Sequence, residues 1–361
     1  MALAEHSLPS FDQAAADSFA DRIGETVNSG ALTVMLSIGH RTGLFDVMAD
    51  LPSGTSAQIA RAAGLSERYV REWLAAMVVG GVVTWDPGNR TYALPAEHAA
   101  CLTRGAAPGN LAVYARFVPM AGAVEDRILE CFKTGAGTGY EDYPCFHGIM
   151  AEDSAQSVVA QLFDVVVPLV DGLHERLESG IDVLDAGCGS GQMLVALAAR
   201  YPHSRFTGYD LCAEAIAAAR EAATATGVSG VRFEVRDLTG FDESESYDFV
   251  TSFDAVHDQK HPQELLAGIY GALRPGGVYL MQDIGGSSQL ENNIGFPFAA
   301  FLYAVSCTHC MPVSLGQGGE GLGTMWGWET ARAMLGQAGF AAPEHHVLPH
   351  DPMNVWFVSR K

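Results

Sequence analysis

The run Val183-Leu184-Asp185-Ala186-Gly187-Cys188-Gly189-Ser190-Gly191 sets glycines at alternate positions between a short apolar strand pattern and the apolar helix pattern Met193 to Ala199. Such a strand, turn and helix unit belongs to an α/β protein with a parallel sheet. Glycines let the backbone pass through left-handed conformations and let a ligand touch the main chain, while the helix start behind them presents unpaired N–H groups. The spacing also narrows the ligand. A dinucleotide fingerprint needs glycine at the first, third and sixth positions, and the sixth position here is Gln192, which argues against a bound pyrophosphate.

The strand patterns that follow end on acids. Phe206-Thr207-Gly208-Tyr209 ends at Asp210, about twenty residues past the glycines, where a carboxylate can accept both hydrogen bonds of a ribose diol. Val231 to Val235 leads to Asp237-Leu238, and Tyr247 to Phe253 leads to Asp254. In an open parallel sheet these carboxyl ends surround the ligand crevice, so the acids can meet a ribose, an adenine amino group and a polar tail. Any one of them alone reads equally well as a helix N-cap. Their order along successive strands favours the ligand.

With Arg274-Pro275-Gly276-Gly277 before a fifth strand, these motifs resemble the class I S-adenosylmethionine-dependent methyltransferases over roughly residues 175 to 361. The resemblance implies a Rossmann-like sheet with helices on both faces and S-adenosyl-L-methionine as cofactor, released as S-adenosyl-L-homocysteine. It places Gly187, Gly189 and Gly191 beside the methionine part, Asp210 on the ribose and Asp237 on adenine N6. Asp185, Leu211, Leu238, Phe253 and Asp254 complete the expected cofactor set.

A length of 361 residues with 48% apolar content suffices for two cores. The domains are read as 1–105, a winged-helix and dimerisation domain; 106–176, a helical connector lining the pocket; and 177–361, the methyltransferase domain. Seven cysteines without pairing rhythm and a polar N-terminus with Glu5 and Asp12 suggest a reducing cytoplasm. No apolar run suggests a membrane span, so no membrane partner is expected. A net charge of −21 repels polyanions and mildly favours a sulfonium.

In the N-terminal part, Gly24 to Gly39 shows helical spacing, and Gly43-Leu44-Phe45 opens a short helix. Ser56 to Leu74 has the small residue Ala60, the turn Gly64 and the apolar Val70 that a helix-turn-helix needs, with Ser66 as N-cap of its second helix. Val82 to Trp85 and Thr91 to Leu94 form a hairpin around Asp86-Pro87-Gly88-Asn89, completing a mainly α winged helix. Arg61, Arg68, Arg71 and Arg90 are matched by Glu67, Glu72, Asp86 and Glu97. A neutral module on an acidic chain lacks the phosphate-neutralising charge that DNA affinity needs, so nucleic acid is not the expected partner. The region resembles that of small-molecule O-methyltransferases, which implies a homodimer built through it.

Phe146, Met150 and Ser154 fall on one helical face. That is either a core stripe or, by resemblance to the Phe-x-x-x-Met segment of the same O-methyltransferases, a cover over the cofactor. Past strand four, His257-Asp258 resembles the His-Asp pair of that family, which makes His257 the base. The family's following tryptophan is Gln259 here, and a capping or surface histidine is the competing reading. Histidine suits the task, since a reference pKa of about 6.5 leaves it able to accept a proton. Glu329 is the expected orienter of its imidazole.

The connection from Gly285 to Trp328 holds an apolar helix, Phe296 to Val305, and then many glycines, as a substrate-choosing lid would. Glu291, Tyr303, His309 and Trp326 are the candidate acceptor contacts, with Met311, Met325 and Trp328 as possible walls. Cys307-Thr308-His309-Cys310 has no partner pair at finger spacing, so no metal is expected. A helix Glu329 to Ala338 and strands His345 to Leu348 and Val355 to Ser359, around a turn Asp351-Pro352-Met353-Asn354, would close the sheet with an antiparallel hairpin. The expected activity is methyl transfer to a small organic acceptor, most plausibly at oxygen. The alternative is a winged-helix transcription regulator whose methyltransferase domain senses a ligand.

Overall fold

The computed structural model describes residues 11–106, 109–143 and 145–361; residues 1–10, and with them Glu5, lie outside. The chain divides into two compact units, residues 1–105 and 106–361.

The first unit opens with α1 (Gln13–Arg41), whose start is fixed by the Asp12 side chain accepting from Ala15 N. After α2 (Leu44–Ala49), α3 (Ser56–Ala63) begins in a reciprocal capping box between Thr55 and Gln58 and stops at the left-handed Gly64. α4 (Glu67–Val79) starts at Ser66, as the sequence suggests, although that side chain makes no capping bond. The wing pairs β1 (Thr84–Asp86) with β2 (Thr91–Ala93), and α5 (Ala96–Leu102) follows. The core of this unit holds Phe45, Ile59, Trp73, Leu74 and Met77. Trp73 also donates its indole N–H to Met35 O.

The second unit begins with α6 (Phe117–Thr134), α7 (Phe146–Ser157) and α8 (Leu173–Ser179). Then come β3 (Asp182–Ala186), α9 (Gln192–Arg200), β4 (Arg205–Asp210), α10 (Ala213–Thr226), β5 (Val231–Val235), β6 (Tyr247–Phe253), α11 (Pro262–Ala272) and β7 (Leu273–Ile284). After α12 (Ala299–Val305), α13 (Met311–Gly316) and α14 (Trp328–Ala338), the chain ends in β8 (Ala341–Leu348) and β9 (Asp351–Arg360). The sheet order is β5-β4-β3-β6-β7-β9-β8, parallel from β5 to β7, with β9 antiparallel to β7 and to β8.

Period-two alternation divides the sheet between two cores. Val183, Phe206, Phe249, Leu280 and Trp356 pack on one face with residues of α9, while Leu184, Tyr209, Val250, Met281 and Phe357 pack on the other with α11 and α14. Strand order reverses between β3 and β6, and there the carboxyl ends part to form a crevice.

Three expectations need correction. Asp351 to Asn354 is not a turn: Asp351 opens β9, because its buried carboxylate accepts from Trp356 Nε1 at 2.9 Å and from Asn354 Nδ2 at 2.8 Å, pinning that stretch to the sheet. The lid helix is also longer than Phe296 to Val305. It starts after Phe298, runs through a π-helical turn at Ser306–Cys310 and reaches Gly316. At 18 residues and a mean hydropathy of 1.2, Ala299–Gly316 is long and apolar enough to cross a membrane, contrary to the sequence reading, although such helices also occur in protein cores. Here Phe301 meets Phe117 edge to face at 5.5 Å, and Val313 is fully buried beside α6.

Candidate active site

The sheet's carboxyl edge and α7 line an open cleft. From β3 and the turn behind it come Asp185, Gly187 and Gly189; from beyond β4, Asp210 and Leu211; from beyond β5, Asp237 and Leu238; from the end of β6, Phe253 and Asp254. α7 contributes Phe146, Met150 and Ser154. The expected cofactor residues therefore converge, with one exception.

Gly187, Gly189 and Gly191 all have positive φ, so the turn requires glycine for its path. Their roles differ. A Cβ at Gly189 would meet no protein atom within 4 Å, so the main chain there faces open space that a ligand can fill. A Cβ at Gly191 would lie 2.6 Å from Phe233 Cζ and 2.9 Å from Ala219 Cβ. Gly191 is a packing residue behind the turn and does not line the cleft. Asp210 holds the turn: Oδ2 accepts from Gly189 N and Oδ1 from Cys212 N, each at 2.8 Å, and a carboxylate retains capacity for a ribose diol. Asp237 accepts from Thr239 N at 2.8 Å, and this backbone bond lowers its pKa.

Three cleft acids are raised instead, in each case chiefly by burial. Asp185 is pushed up to about 7, with Asp210 adding to burial against the 2.7 Å bond from Thr251 Oγ1. Asp258 is pushed up to about 6, although the Tyr140 hydroxyl donates to it at 2.8 Å. Asp254 is held well above the usual carboxylate range by burial and the Asp283 carboxylate; its backbone is left-handed at φ 48°, and its Oδ1 is buried without a partner.

His257 lies just behind the cleft wall, between the lining residues Ala255 and Asp258. The imidazole is buried, with Nδ1 2.8 Å from Asp283 Oδ1. Burial alone would lower its pKa, but Asp283 and a hydrogen bond with Cys310 outweigh burial and raise it well above the ordinary value. The carboxylate bonded to this imidazole is thus Asp283 and not Glu329, which accepts from Ser287 Oγ at 2.6 Å and Ser288 N at 2.8 Å. Sequence reasoning missed Asp283 because it sits inside a strand pattern. The available signal was an acid at the apolar end of β7, which lies beside β6.

The donor atoms of Asp254, His257 and Asp283 lie within 4.8 Å of one another, a spacing that could hold a metal ion. Yet Asp283 Oδ1 already accepts from Trp326 Nε1 at 3.0 Å and Ile284 N at 2.8 Å besides His257, as a proton-holding pair does.

The lid candidates are dispersed. Glu291 is exposed on a short 3-10 turn, and Tyr303 accepts from Asn293 Nδ2 at 3.0 Å. Trp326 is buried against Asp283, and Trp328 stacks on His345. Only His309 reaches the cleft wall, its ring stacked on Phe146 at 3.7 Å and 24°. Cys307 and Cys310 are free thiols within the π-helical turn.

Residues 30–104 match the model of the Rv2258c-like winged HTH domain, and residues 177–312 match that of a methyltransferase domain. The chain is 25% identical over 242 residues to methyltransferase ungE' of Aspergillus campestris, a match spanning 65% of this chain and 67% of that one. A candidate O-methyltransferase structure from Nostoc punctiforme superposes with a TM-score of 0.71 at 22% identity, covering 98% of this chain and all of the other. Human N-acetylserotonin methyltransferase, solved with SAM, does so with a TM-score of 0.66 at 18% identity over 98% and 99% of the two chains. The chain is therefore built of an N-terminal winged helix-turn-helix domain and a methyltransferase domain of the class I, Rossmann-like fold.

Proposed function

We propose that the chain methylates an oxygen of a small organic acceptor, using S-adenosyl-L-methionine and His257 as base. The observation that carries this reading is the buried His257–Asp283 pair directly behind a cleft lined by the glycine turn, Asp210 and Asp237. The open space against Gly189 and the free acceptor capacity of Asp210 suit an adenosine ligand with an amino-acid tail. When bound, S-adenosyl-L-methionine supplies an electrophilic methyl group on sulfur.

The protein's share is positioning and proton transfer. Fixing the acceptor in line with the sulfur–methyl bond supplies much of the acceleration. As the acceptor oxygen is methylated its proton must leave, and His257 Nε2 can take it while Asp283 holds Nδ1 and stabilises the imidazolium. The raised His257 pKa means that activity rises with pH through that value, because only the neutral ring accepts a proton.

A homodimer through the N-terminal unit fits this reading. Phe19, Ile23 and Val27 form an exposed apolar stripe at intervals of four along α1, a self-complementary surface for a second copy. A reducing, cytoplasmic setting fits seven unpaired cysteines.

Methyl transfer from labelled cofactor to a panel of phenols tests the function. His257→Ala should cut turnover about a hundredfold or more while S-adenosyl-L-homocysteine affinity holds. Unchanged turnover would remove His257 as the base, and affinity for NAD with none for S-adenosyl-L-homocysteine would overturn the function.

A further inference from the structure

We propose, resting on the reading of the cleft as the S-adenosyl-L-methionine site, that Tyr140 is the gate through which the cofactor's nucleoside enters and leaves, and that its hydrogen bond to Asp258 is the latch. Tyr140, Leu211 and Gln317 line the cleft and also line a second, outer groove. A single layer of side chains therefore separates the space beside Asp210 from that groove. The three are held differently. Leu211 is 43% exposed just past β4, and Gln317 Nε2 donates at 3.1 Å to Val313 O of the helix that it follows. Tyr140 instead reaches across to another element, its hydroxyl donating to Asp258 Oδ2 at 2.8 Å.

The local chain lets this side chain move while its surroundings stay in place. Tyr140 stands on a short arch from Thr138 to Tyr143, beyond the end of α6. Both feet of the arch are buried and fixed to the lid helix: Thr138 N donates to Pro312 O at 2.9 Å, and the Tyr143 hydroxyl donates to Thr308 O at 2.7 Å. Beside the first foot, Gly137 and Gly316 pack main chain on main chain. A Cβ on Gly137 would collide with Gly316 N, and one on Gly316 with Thr138 O. The crown is less restrained. Glu141 is exposed, and the Tyr140 ring meets Phe146, His147 and His309 at centroid separations of 6.2, 5.7 and 6.1 Å without stacking on any of them. Rotation of one side chain thus opens the wall, and the bond to Asp258 is what opposes it.

That bond is of the strong kind, with a carboxylate as acceptor. Burial and the neighbouring Asp258 raise the Tyr140 pKa well above its ordinary value, so the phenol remains a donor, and its hydrogen bond favours the ionised form of Asp258 against burial. A bond to a charged group slows opening by about tenfold or more. Cofactor and demethylated product share their nucleoside, so both cross the gate in every turnover.

Stopped-flow measurement of S-adenosyl-L-homocysteine binding to the whole protein at pH 8 tests the gate. A gate slows passage in both directions, whereas a simple ligand contact slows departure alone. Tyr140→Phe should therefore raise the association and dissociation rate constants together, each at least tenfold, with their ratio changed less than threefold. Asp258→Ala should do the same, and the double variant should be no faster than either single one, since all three lack the same bond. Faster dissociation alone would make Tyr140 a direct ligand contact and overturn the gate. Unchanged rates, or effects that multiply in the double variant, would overturn it as well. If Asp258→Ala does not fold by circular dichroism, the two rates in Tyr140→Phe decide, and if Tyr140→Phe does not fold, those in Asp258→Ala do. Failure of the unsubstituted protein to bind S-adenosyl-L-homocysteine would overturn the methyltransferase reading itself.

Discussion

Replacing Asp283 by asparagine keeps the shape of the His257 support and removes its charge. In the native protein the carboxylate, accepting from His257, Trp326 and the Ile284 amide, raises the imidazole's pKa against the burial that would lower it. A group whose folded pKa exceeds its unfolded value of about 6.5 stabilises fully below that pH, and the contribution is lost as pH rises through the folded value. Within that window the native protein should lose about 1.4 kcal/mol per pH unit from this group. In Asp283→Asn the main influence raising the pKa is gone and only Cys310 still opposes burial, so the folded pKa falls and the slope shrinks. Urea unfolding followed by circular dichroism between pH 5.5 and 8.5 measures it, since groups unaffected by the substitution cancel. The stability gap between the two proteins should be largest at acid pH and shrink as pH rises. Parallel curves would refute the assignment of a carboxylate-supported imidazolium.

Gly191→Ala should destabilise the protein by about 2–4 kcal/mol, because its φ of 67° disfavours a side chain and the new Cβ overlaps Phe233, as a denaturant midpoint would show. Gly189→Ala should cost only about 1 kcal/mol of stability and weaken S-adenosyl-L-homocysteine binding tenfold or more in calorimetry, since its methyl group enters ligand space. Ile23→Glu with Val27→Glu should shift sedimentation toward the monomer, and an unaltered dimer would discard the α1 stripe as the contact. S-adenosyl-L-methionine should gain affinity over S-adenosyl-L-homocysteine as pH rises from 5.5 to 8, by up to about tenfold per pH unit for each proton released; a flat ratio would deny any coupling to the raised cleft acids.

The cofactor half of the site was legible because it is local. The acids read as facing the ligand sit at or just past the ends of their own strands, so the apolar run of β4 locates Asp210 and that of β5 locates Asp237, with no knowledge of how the strands pair. Gly191 shows the limit of that reasoning, since whether a turn glycine faces ligand or Phe233 depends on a neighbour from another strand. The acceptor half is non-local. Glu329 has the charge and the place along the chain that an orienting residue needs, but its carboxylate accepts from Ser287 and Ser288 instead. Asp283 reaches His257 only because β7 pairs with β6, which puts the ends of these strands side by side. The π-helical turn that brings His309 against Phe146 has no periodic signature, so the sequence showed a helix end where the helix continues.

The formal charge of −21 suggests a field that draws in a sulfonium, but the cleft itself works differently. At neutral pH, charges on the outer surface are screened over about 8–10 Å by salt. The acids that can act at short range are Asp185, Asp254 and Asp258, and burial raises all three pKa values, so that at neutral pH Asp254 and part of Asp185 hold protons the solvent-exposed acids have lost, while Asp258 does so only at mildly acid pH. A cation entering this space favours their ionised forms, and the negative charge then develops in response to the ligand instead of standing unpaired before it arrives. Demethylated product lacks the sulfonium, so the same acids take their protons back when the methyl group has gone. Any attraction of these acids for the cofactor then weakens after transfer, in the direction that releases product, while Asp237, whose pKa is lowered, remains ionised throughout.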